Sequence, residues 1–179
     1  MAAATEDLRA LVEGHEPASP REAAAREQFL TELDRLDAPC DEHAGPTHVT
    51  ASGIVVGRRG TVLHLHKRLG IWMQPGGHID AGETPAAAAR REAIEELGLA
   101  VEHPAAGALL IHVDVHEAAL GHTHLDLRYL LLGPDADPHP PPGESPHARW
   151  CDWDEAAALA DAALADALPR ARAAYEALS

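Results

Sequence analysis

The stretch PGGHIDAGETPAAAARREAIEELGL, from Pro75 to Leu99, decides how this chain is interpreted. It predicts a glycine loop followed by a short helix, because Thr84 can cap the helix, Pro85 suits its first turn and Gly98 favours the left-handed stop. The helix has three glutamates at spacings i, i+3 and i+4, so their carboxylates share one face: Glu92, Glu95 and Glu96.

These three glutamates favour a bound cation. Like charges on one helical face repel each other by roughly a few tenths of a kcal/mol per pair. A hard divalent cation with oxygen ligands, such as Mg2+, removes that repulsion and can take up a substrate phosphate. A solvated acidic face is the usual meaning of three glutamates alone. Here the glycine loop, Glu83 and Arg91 stand at fixed offsets as well, which favours the metal site.

The pattern resembles the Nudix box, G-x5-E-x7-R-E-U-x-E-E-x-G-U with U apolar, and every defined position matches from Gly77 to Leu99. The resemblance implies an α/β fold, a Nudix-type α/β/α sandwich with a mixed β-sheet. It also implies a hydrolase that uses Mg2+, or Mn2+, to direct water onto the diphosphate linkage of a nucleoside diphosphate joined to another group. Proteins that look like this are commonly homodimers.

Residue roles follow from the same resemblance. Glu92 and Glu96 look like the principal metal ligands, and Glu95 like an additional ligand or a water-orienting carboxylate. Gly77, or Gly76 beside it, resembles the glycine whose carbonyl also reaches the metal.

The resemblance also implies which residues of the box support catalysis. Glu83 and Arg91 look like the pair that braces the loop against the helix. The general base is a carboxylate whose position varies within the family, so four candidates stay open: Glu95, Glu96, Glu144 and Glu155.

Composition limits the partners. The 179 residues have a formal net charge of −15, which argues against a nucleic-acid duplex or an anionic membrane and leaves a small-molecule diphosphate in need of cations. No apolar run approaches the roughly 18 residues of a membrane span. Cys40 and Cys151 are the two cysteines and match neither a disulfide framework nor a zinc ribbon, so we expect a cytoplasmic protein.

Two helices are predicted before the first strand. Residues 5–15 suggest a short helix, and the sequence SPRE at 19–22 is a capping-box start for a second helix that ends at 37–39. Residues 1–45 are therefore an N-terminal helical hairpin and residues 46–179 the catalytic domain. The hairpin could pack on that domain, cover a substrate mouth or build a dimer interface, and we favour plain packing.

Alternating apolar residues predict strands, which occupy 48–56, 61–66, 108–116 and 122–132. The connection Glu117–Gly121 makes the last two an antiparallel hairpin with polar residues on one face. The predicted neighbours, about 5 Å apart, are His116 with His122, Asp114 with His124, and His112 with Asp126.

The last part of the chain is a loop, a strand and helix. The proline-rich segment 133–147 cannot form a helix or a central strand. Residues 149–153 predict an edge strand, after which Asp152 or Asp154 caps a helix. The alanine-rich residues 155–178 are expected to be helical, with a break near Pro169.

Thirteen histidines are many for this length. Four are interpreted as solvated surface side chains: His15, His103, His139 and His147. The pairs His64-x-His66 and His122-x-His124 each put two imidazoles on one strand face, which is a common way to hold zinc or manganese.

Some of these histidines resemble a second family. The type-I isopentenyl diphosphate isomerases hold a metal with histidines and glutamates, and His48 and His78 occupy similar places. The isomerase's catalytic cysteine would fall at Gly76, which argues against that activity. We expect a second metal or phosphate site, with an additional transition metal, formed by His48, His78, His122 and His124.

Arginines and a lysine are the candidate phosphate ligands. Arg128 has the best case because it shares the polar strand face, and the others are Arg58, Arg59, Lys67 and Arg68. A non-catalytic nucleotide-sensing domain is the alternative to a hydrolase, although it has little reason to keep the complete carboxylate set.

Overall fold

The computed structural model describes residues 2–118 and 121–178, with side chains from Thr5 onward. In these ranges the helices are α1 (Ala2–Glu13), α2 (Pro20–Leu33), α3 (Pro85–Leu97), α4 (Trp153–Leu159) and α5 (Ala162–Ala177). The strands are β1 (Thr47–Gly57), β2 (Gly60–Leu65), β3 (Trp72–Met73), β4 (Gly76–His78), β5 (Leu109–Glu117), β6 (Thr123–Leu132) and β7 (Ala148–Cys151). No helix among these residues is long and apolar enough to cross a membrane.

The strands form one mixed sheet, as predicted. Its main order is β3-β2-β1-β6-β5, with β4 also pairing with β1 and β7 with β2. β1 and β6 are parallel, and the other pairs are antiparallel. β2 pairs only with the last two residues of β1, Val56 and Gly57, so β4 lies beside the first half of β1 on the side away from β6.

Helices cover both faces of the sheet, which confirms the sandwich. Helices α1, α2 and α3 share a core with one face of β1, β5 and β6, in which Phe29 is fully buried. Burying a side chain of that size contributes roughly 1.5–3 kcal/mol. Helices α4 and α5 pack on the other face through Leu164 and Leu168, among others.

The N-terminal hairpin is anchored to β5 by a buried acid, Glu22. Its carboxylate accepts hydrogen bonds from the backbone N–H of Val113 at 3.0 Å and of Ala18 at 2.6 Å, and pairs with His15 at 2.6 Å. Burial alone would raise the pKa of Glu22, but these partners lower it to about 2. The expectation that His15 is a solvated surface residue is therefore wrong, because its ring is buried against Glu22 inside the protein.

The β5–β6 register differs from the predicted one by two residues. His116 lies opposite His124, Asp114 opposite Asp126, and His112 opposite Arg128. The strands extend until Glu117 faces Thr123, so the connection occupies 118–122, of which residues 119 and 120 lie outside the described residues. From His112 to Glu117, a shift of two keeps the side chains on their predicted faces, because side chains alternate with period two. A register irregularity between Leu110 and His112 interrupts the alternation before that point.

The C-terminal helical segment breaks earlier than predicted. Asp152 caps α4, and the chain then breaks at Ala160 so that Asp161 caps α5 by accepting the N–H of Leu164. Pro169 lies inside α5. The proline removes one helical hydrogen bond, but burial of its neighbour Leu168 against the sheet keeps the helix continuous.

Candidate active site

The glycine loop and the glutamate helix meet through β-pairing and helix caps. β4 pairs with β1 so that Gly77 lies opposite Ala51. Helix α3 begins after Thr84, whose side chain accepts the N–H of Ala87, and ends at Gly98 with a φ of +61°. These caps fix where the glutamates of α3 stand relative to the loop.

The backbone of the glycine loop approaches Glu92 and Ser52 so closely that a Cβ atom at either glycine would clash. A Cβ atom on Gly77 would stand 2.5 Å from Oε1 of Glu92, and one on Gly76 would stand 2.4 Å from Cβ of Ser52. The Gly76 N–H donates to Oε2 of Glu96 at 2.9 Å. The backbone of the loop is therefore part of the carboxylate cluster.

Arg91 joins the loop to the helix. Its guanidinium donates to Glu83 at 2.9 Å, to the carbonyl of His78 at 2.9 Å, to Glu92 at 2.8 Å and to Glu95 at 3.2 Å. The Glu83 hydrogen bond is the largest cause of the raised pKa of Arg91, and the same bond lowers the pKa of Glu83. One cation thus offsets part of the charge of three carboxylates.

The side chains of Glu92 and Glu96 line a cavity, described below, and are largely shielded from water. Desolvation raises the pKa of both and brings that of Glu96 to about 7, where the Gly76 N–H opposes the shift and repulsion from Glu92, Glu144 and Glu95 adds to it. Glu95 differs, since its side chain is 55% exposed and does not line the cavity. Two crowded carboxylates without enough counter-charge are suited to bind a cation.

A cavity of about 450 Å³ opens in front of Glu92 and Glu96. Leu69, Ile71 and Met73 supply apolar lining, while β1 and β6 supply polar lining. A second cavity of about 290 Å³ shares lining residues with it, among them Glu96. Cavities of this size suit a small molecule that has both a charged and an apolar part.

Matching positions on β1 and β6 form a surface that we call the polar floor: Thr50, Ser52, Asp126 and Arg128. Thr50 lies opposite Asp126 and Ser52 opposite Arg128 in the parallel pair. Both hydroxyls donate to the Asp126 carboxylate, at 3.1 and 2.8 Å. The floor is therefore a connected hydrogen-bond network.

Arg128 has one nitrogen without a partner. Its Nε donates to Asp126 and its Nη2 to Asp114, each at 3.0 Å, and the residue is only 2% exposed. Its Nη1 is buried with no hydrogen-bond partner among the described residues. Such a donor costs about 1–3 kcal/mol until an oxygen accepts from it, which makes Arg128 a candidate phosphate ligand. Asp114 also pairs with Arg21 of α2 at 2.7 Å.

Of the other side chains predicted to bind phosphate, two line a cavity and two do not. Arg68 lines both cavities, and Lys67 lines the smaller one and donates to the carbonyl of Gly143. Arg58 lies in the β1–β2 turn with its side chain 82% exposed, 3.6 Å from Asp135, and Arg59 pairs with Asp137 at 2.7 Å. Neither Arg58 nor Arg59 lines either of these two cavities, so their contact with a phosphate stays a prediction.

Of the two general-base candidates outside the helix, one reaches the site. Glu144 lines the smaller cavity together with Glu96 and His64. Glu155 pairs with Arg149 and lines neither cavity.

Three of the four histidines proposed for a second site come together. His48, His78 and His124 each offer a ring nitrogen within 4.8 Å of the others. Both ring nitrogens of the fully buried His48 lack a hydrogen bond of ordinary geometry, although the nearby Gly45 carbonyl favours its charged form. Desolvation lowers the pKa of His48, and that of His124 to about 4. His122 stacks edge-on to His48, 5.4 Å between centroids, outside the group of three.

Comparison with known proteins identifies the fold. The sequence model of the NUDIX domain matches residues 46–172, more than half of the chain. The chain belongs to the Nudix family. The match contains the Nudix box, the polar floor and the proline-rich loop, so every part of the site lies within the Nudix domain.

Solved structures that resemble this chain include Nudix hydrolases. A Nudix hydrolase from Clostridium perfringens is 28% identical over 71% of this chain and 97% of its own, with a TM-score of 0.59. An Ap4A hydrolase from C. elegans is 22% identical over 72% and 97%, with a TM-score of 0.58. A UDP-X diphosphatase, 14% identical, covers 99% of this chain and 95% of its own with a TM-score of 0.56. The NUDIX match and the 28% identical Nudix hydrolase make this chain a Nudix-type pyrophosphohydrolase, and the two less similar structures show the shared fold.

The Nudix site contains residues that sequence reasoning did not select. Thr50, Ser52, Gln74 and His64 line the cavity, and His64 Nε2 lies 3.7 Å from Glu96. The polar residues at alternate positions of β1 were a usable signal for the first two. His64 was noticed only as part of a His-x-His pair, and burial lowers its pKa to about 4.

The Nudix helix fits a divalent metal. Nudix hydrolases use ions such as Mg2+, which prefer carboxylate and carbonyl oxygens. Glu92 and Glu96 bring carboxylate oxygens together beside the backbone of Gly76 and Gly77, and Arg91, which bonds Glu92, leaves part of their charge uncompensated.

Proposed function

We propose that this protein hydrolyses the diphosphate linkage of a nucleoside diphosphate joined to another group, or of a related organic pyrophosphate, with Mg2+ held by Glu92 and Glu96. The observation that supports it most is the crowded pair of desolvated carboxylates beside the glycine loop. Mn2+ is the alternative ion. Bound there, the ion would polarise a phosphoryl oxygen and make a water more acidic.

The protein's own residues divide the remaining work. The unpartnered Nη1 of Arg128 donates a hydrogen bond to a phosphate oxygen and so orients the diphosphate above the polar floor. Arg68, which lines both cavities, adds positive charge. Arg91 and Glu83 hold the loop against the helix, so that Glu92 keeps its place.

Glu144 is the proposed general base. Glu96 is committed to the cation, and Glu95 is turned to solvent and paired with Arg91. Glu144 stands on the proline-rich loop and lines the smaller cavity together with Glu96, whose carboxylate it repels, so a water in that cavity has Glu144 beside it as a proton acceptor.

The group attached to the diphosphate has an apolar surface available, formed by Leu69, Ile71 and Met73. The Ap4A hydrolase and the UDP-X diphosphatase, at identities of 22% and 14%, support the fold and leave the substrate open. Nucleoside diphosphate sugars and dinucleoside polyphosphates are therefore the first compounds to test.

The isomerase alternative loses support from the loop. A Cβ atom at position 76 would stand 2.4 Å from Cβ of Ser52, so a cysteine does not fit where Gly76 lies. The two cysteines, Cys40 and Cys151, are free and line neither cavity. Free thiols suit the cytoplasmic setting that we propose. A homodimer is also proposed, and light scattering measures it.

The test is turnover of a diphosphate panel with Mg2+ and then Mn2+. One compound should be hydrolysed by the wild type and by the control Glu102→Gln, a surface acid paired with Arg90, and not by Glu96→Gln. Glu144→Gln should lower kcat by about 10²–10⁴-fold with little change in KM, as loss of a general base does. No turnover of any compound, combined with a ligand that raises Tm, would replace this proposal with the nucleotide-sensing one.

A further inference from the structure

Three histidines beside the Nudix site take no part in the proposed reaction. His48 and His124 are direct partners in the parallel β1–β6 pair. His78 is on β4, on the other side of β1, where it lies opposite Thr50. The imidazoles of three different strands therefore converge at the beginning of β1.

The spacing of the rings suits a common ligand. The ring centroids of His48 lie 4.9 Å from His124 and 5.0 Å from His78, and those of His78 and His124 lie 5.7 Å apart. One nitrogen from each lies within 4.8 Å of the others. Two histidine nitrogens on a tetrahedral zinc ion are about 3.3 Å apart, given metal–nitrogen distances of about 2.0–2.1 Å. Each side chain would need to move by about 1 Å or less.

The inner histidine lacks the partners that a buried polar ring requires. His48 is fully buried, yet neither of its ring nitrogens makes a hydrogen bond of ordinary geometry among the described residues, the Gly45 carbonyl being the one backbone group that favours its charged form. An unsatisfied buried group of this kind costs about 1–3 kcal/mol. A bound cation would satisfy the nitrogen that faces His78 and His124.

The outer histidine has the second partner that metal-binding histidines usually have. Nδ1 of His78 lies 3.1 Å from Oε2 of Glu42. When that carboxylate accepts a hydrogen bond from Nδ1–H, the lone pair of Nε2 is free to bind a metal ion. Metal-ligating histidines commonly donate their other ring nitrogen to a carboxylate, which fixes the tautomer and the ring orientation.

From this geometry we infer that His48, His78 and His124 form a binding site for a divalent transition-metal ion such as Zn2+, distinct from the magnesium site at Glu92 and Glu96. Imidazole nitrogens select ions of this class, whereas Mg2+ prefers oxygens.

The position of this histidine site gives the ion a second role. Three protein ligands leave a coordination position open, as in catalytic zinc sites. His78 and His124 both line the larger cavity, so an ion held by them would lie beside the space where, on the proposed function, the substrate binds. The ion would therefore hold an anionic oxygen of the substrate beyond the magnesium-bound phosphate.

Metal binding tests this inference without using turnover. The full-length protein is stripped with a chelator, returned to excess Mg2+ to fill the carboxylate site, and titrated with Zn2+ against a competing chelator. We expect one tightly bound zinc ion per chain. His124→Ala and His78→Ala should weaken it by more than 100-fold, and Glu42→Gln by about tenfold, the range for loss of an outer carboxylate. His139→Ala, outside the cluster, should bind zinc like the wild type.

Two further measurements separate the outcomes. Glu92→Gln should keep the zinc ion, because the magnesium site can fail while the histidine site remains intact. Co2+ in place of Zn2+ should give visible d–d absorption that disappears in His124→Ala. Equal zinc affinity in His124→Ala, His78→Ala and the wild type, or no zinc bound in any of them, would overturn the inference.

Discussion

Gly77→Ala is the most direct perturbation of the Nudix site. The added Cβ would stand 2.5 Å from Oε1 and 2.6 Å from Cδ of Glu92, whereas ordinary contact begins at 3.4 Å. The carboxylate must therefore retreat by about 0.9 Å, and a misplacement of about 1 Å can cost 10²-fold in rate. We expect kcat to fall by about that factor and the Mg2+ affinity, measured by calorimetry, to fall with it.

The fold should survive this change. The φ of Gly77 lies outside the left-handed region, so alanine strains no backbone there, and Tm should stay near that of the wild type. Gly45→Ala is the matched control, since its added Cβ meets nothing within 4 Å. Wild-type kcat and Mg2+ affinity in Gly77→Ala would refute the reasoning that loop and carboxylate must touch.

Three further outcomes are expected. Arg128→Lys keeps the charge but loses the planar fork, so kcat/KM should fall by about 10–100-fold, and steady-state kinetics that match the wild type would remove Arg128 from the phosphate site. Mg2+ affinity should fall by up to about tenfold per pH unit as pH drops below about 7, because protons compete for Glu96; a flat calorimetric profile from pH 8 to 6 would contradict this. The lowered pKa of Glu22 contributes stability that is present above the pKa of the unfolded state, about 4.5, and is lost as pH falls towards 2. Glu22→Gln should therefore lower the free energy of unfolding in urea by about 3 kcal/mol at pH 7 and by almost nothing at pH 2.

The Nudix box could be predicted because its signals are local. The caps Thr84 and Gly98 and the spacing of the glutamates act within 25 residues of chain, where helical geometry fixes which side chains meet. The polar face of β5 and β6 followed from alternation for the same reason. Their register did not, because it depends on where the hairpin turns, and a two-residue shift leaves the alternation unchanged.

Other features needed tertiary partners that the sequence does not reveal. His15 and Glu22 are seven residues apart, but their burial depends on the N–H of Val113, which comes from a strand 91 residues after Glu22. The convergence of His48 with His78 required knowledge that β4 pairs with β1. Pro169 was taken as a break since proline disfavours helix interiors, and packing of its neighbours outweighed that preference.

The two halves of the site differ in how much chain must be ordered to build them. The contact between Gly76 and Glu96 closes 20 residues, whereas the contact between Thr50 and Asp126 closes 76 and needs the parallel β1–β6 pair. Loop-closure entropy and slow non-local pairing both disfavour the second step. The proposed magnesium site therefore closes before the surface for the substrate does, so metal uptake by a truncated or damaged protein would not establish an intact enzyme.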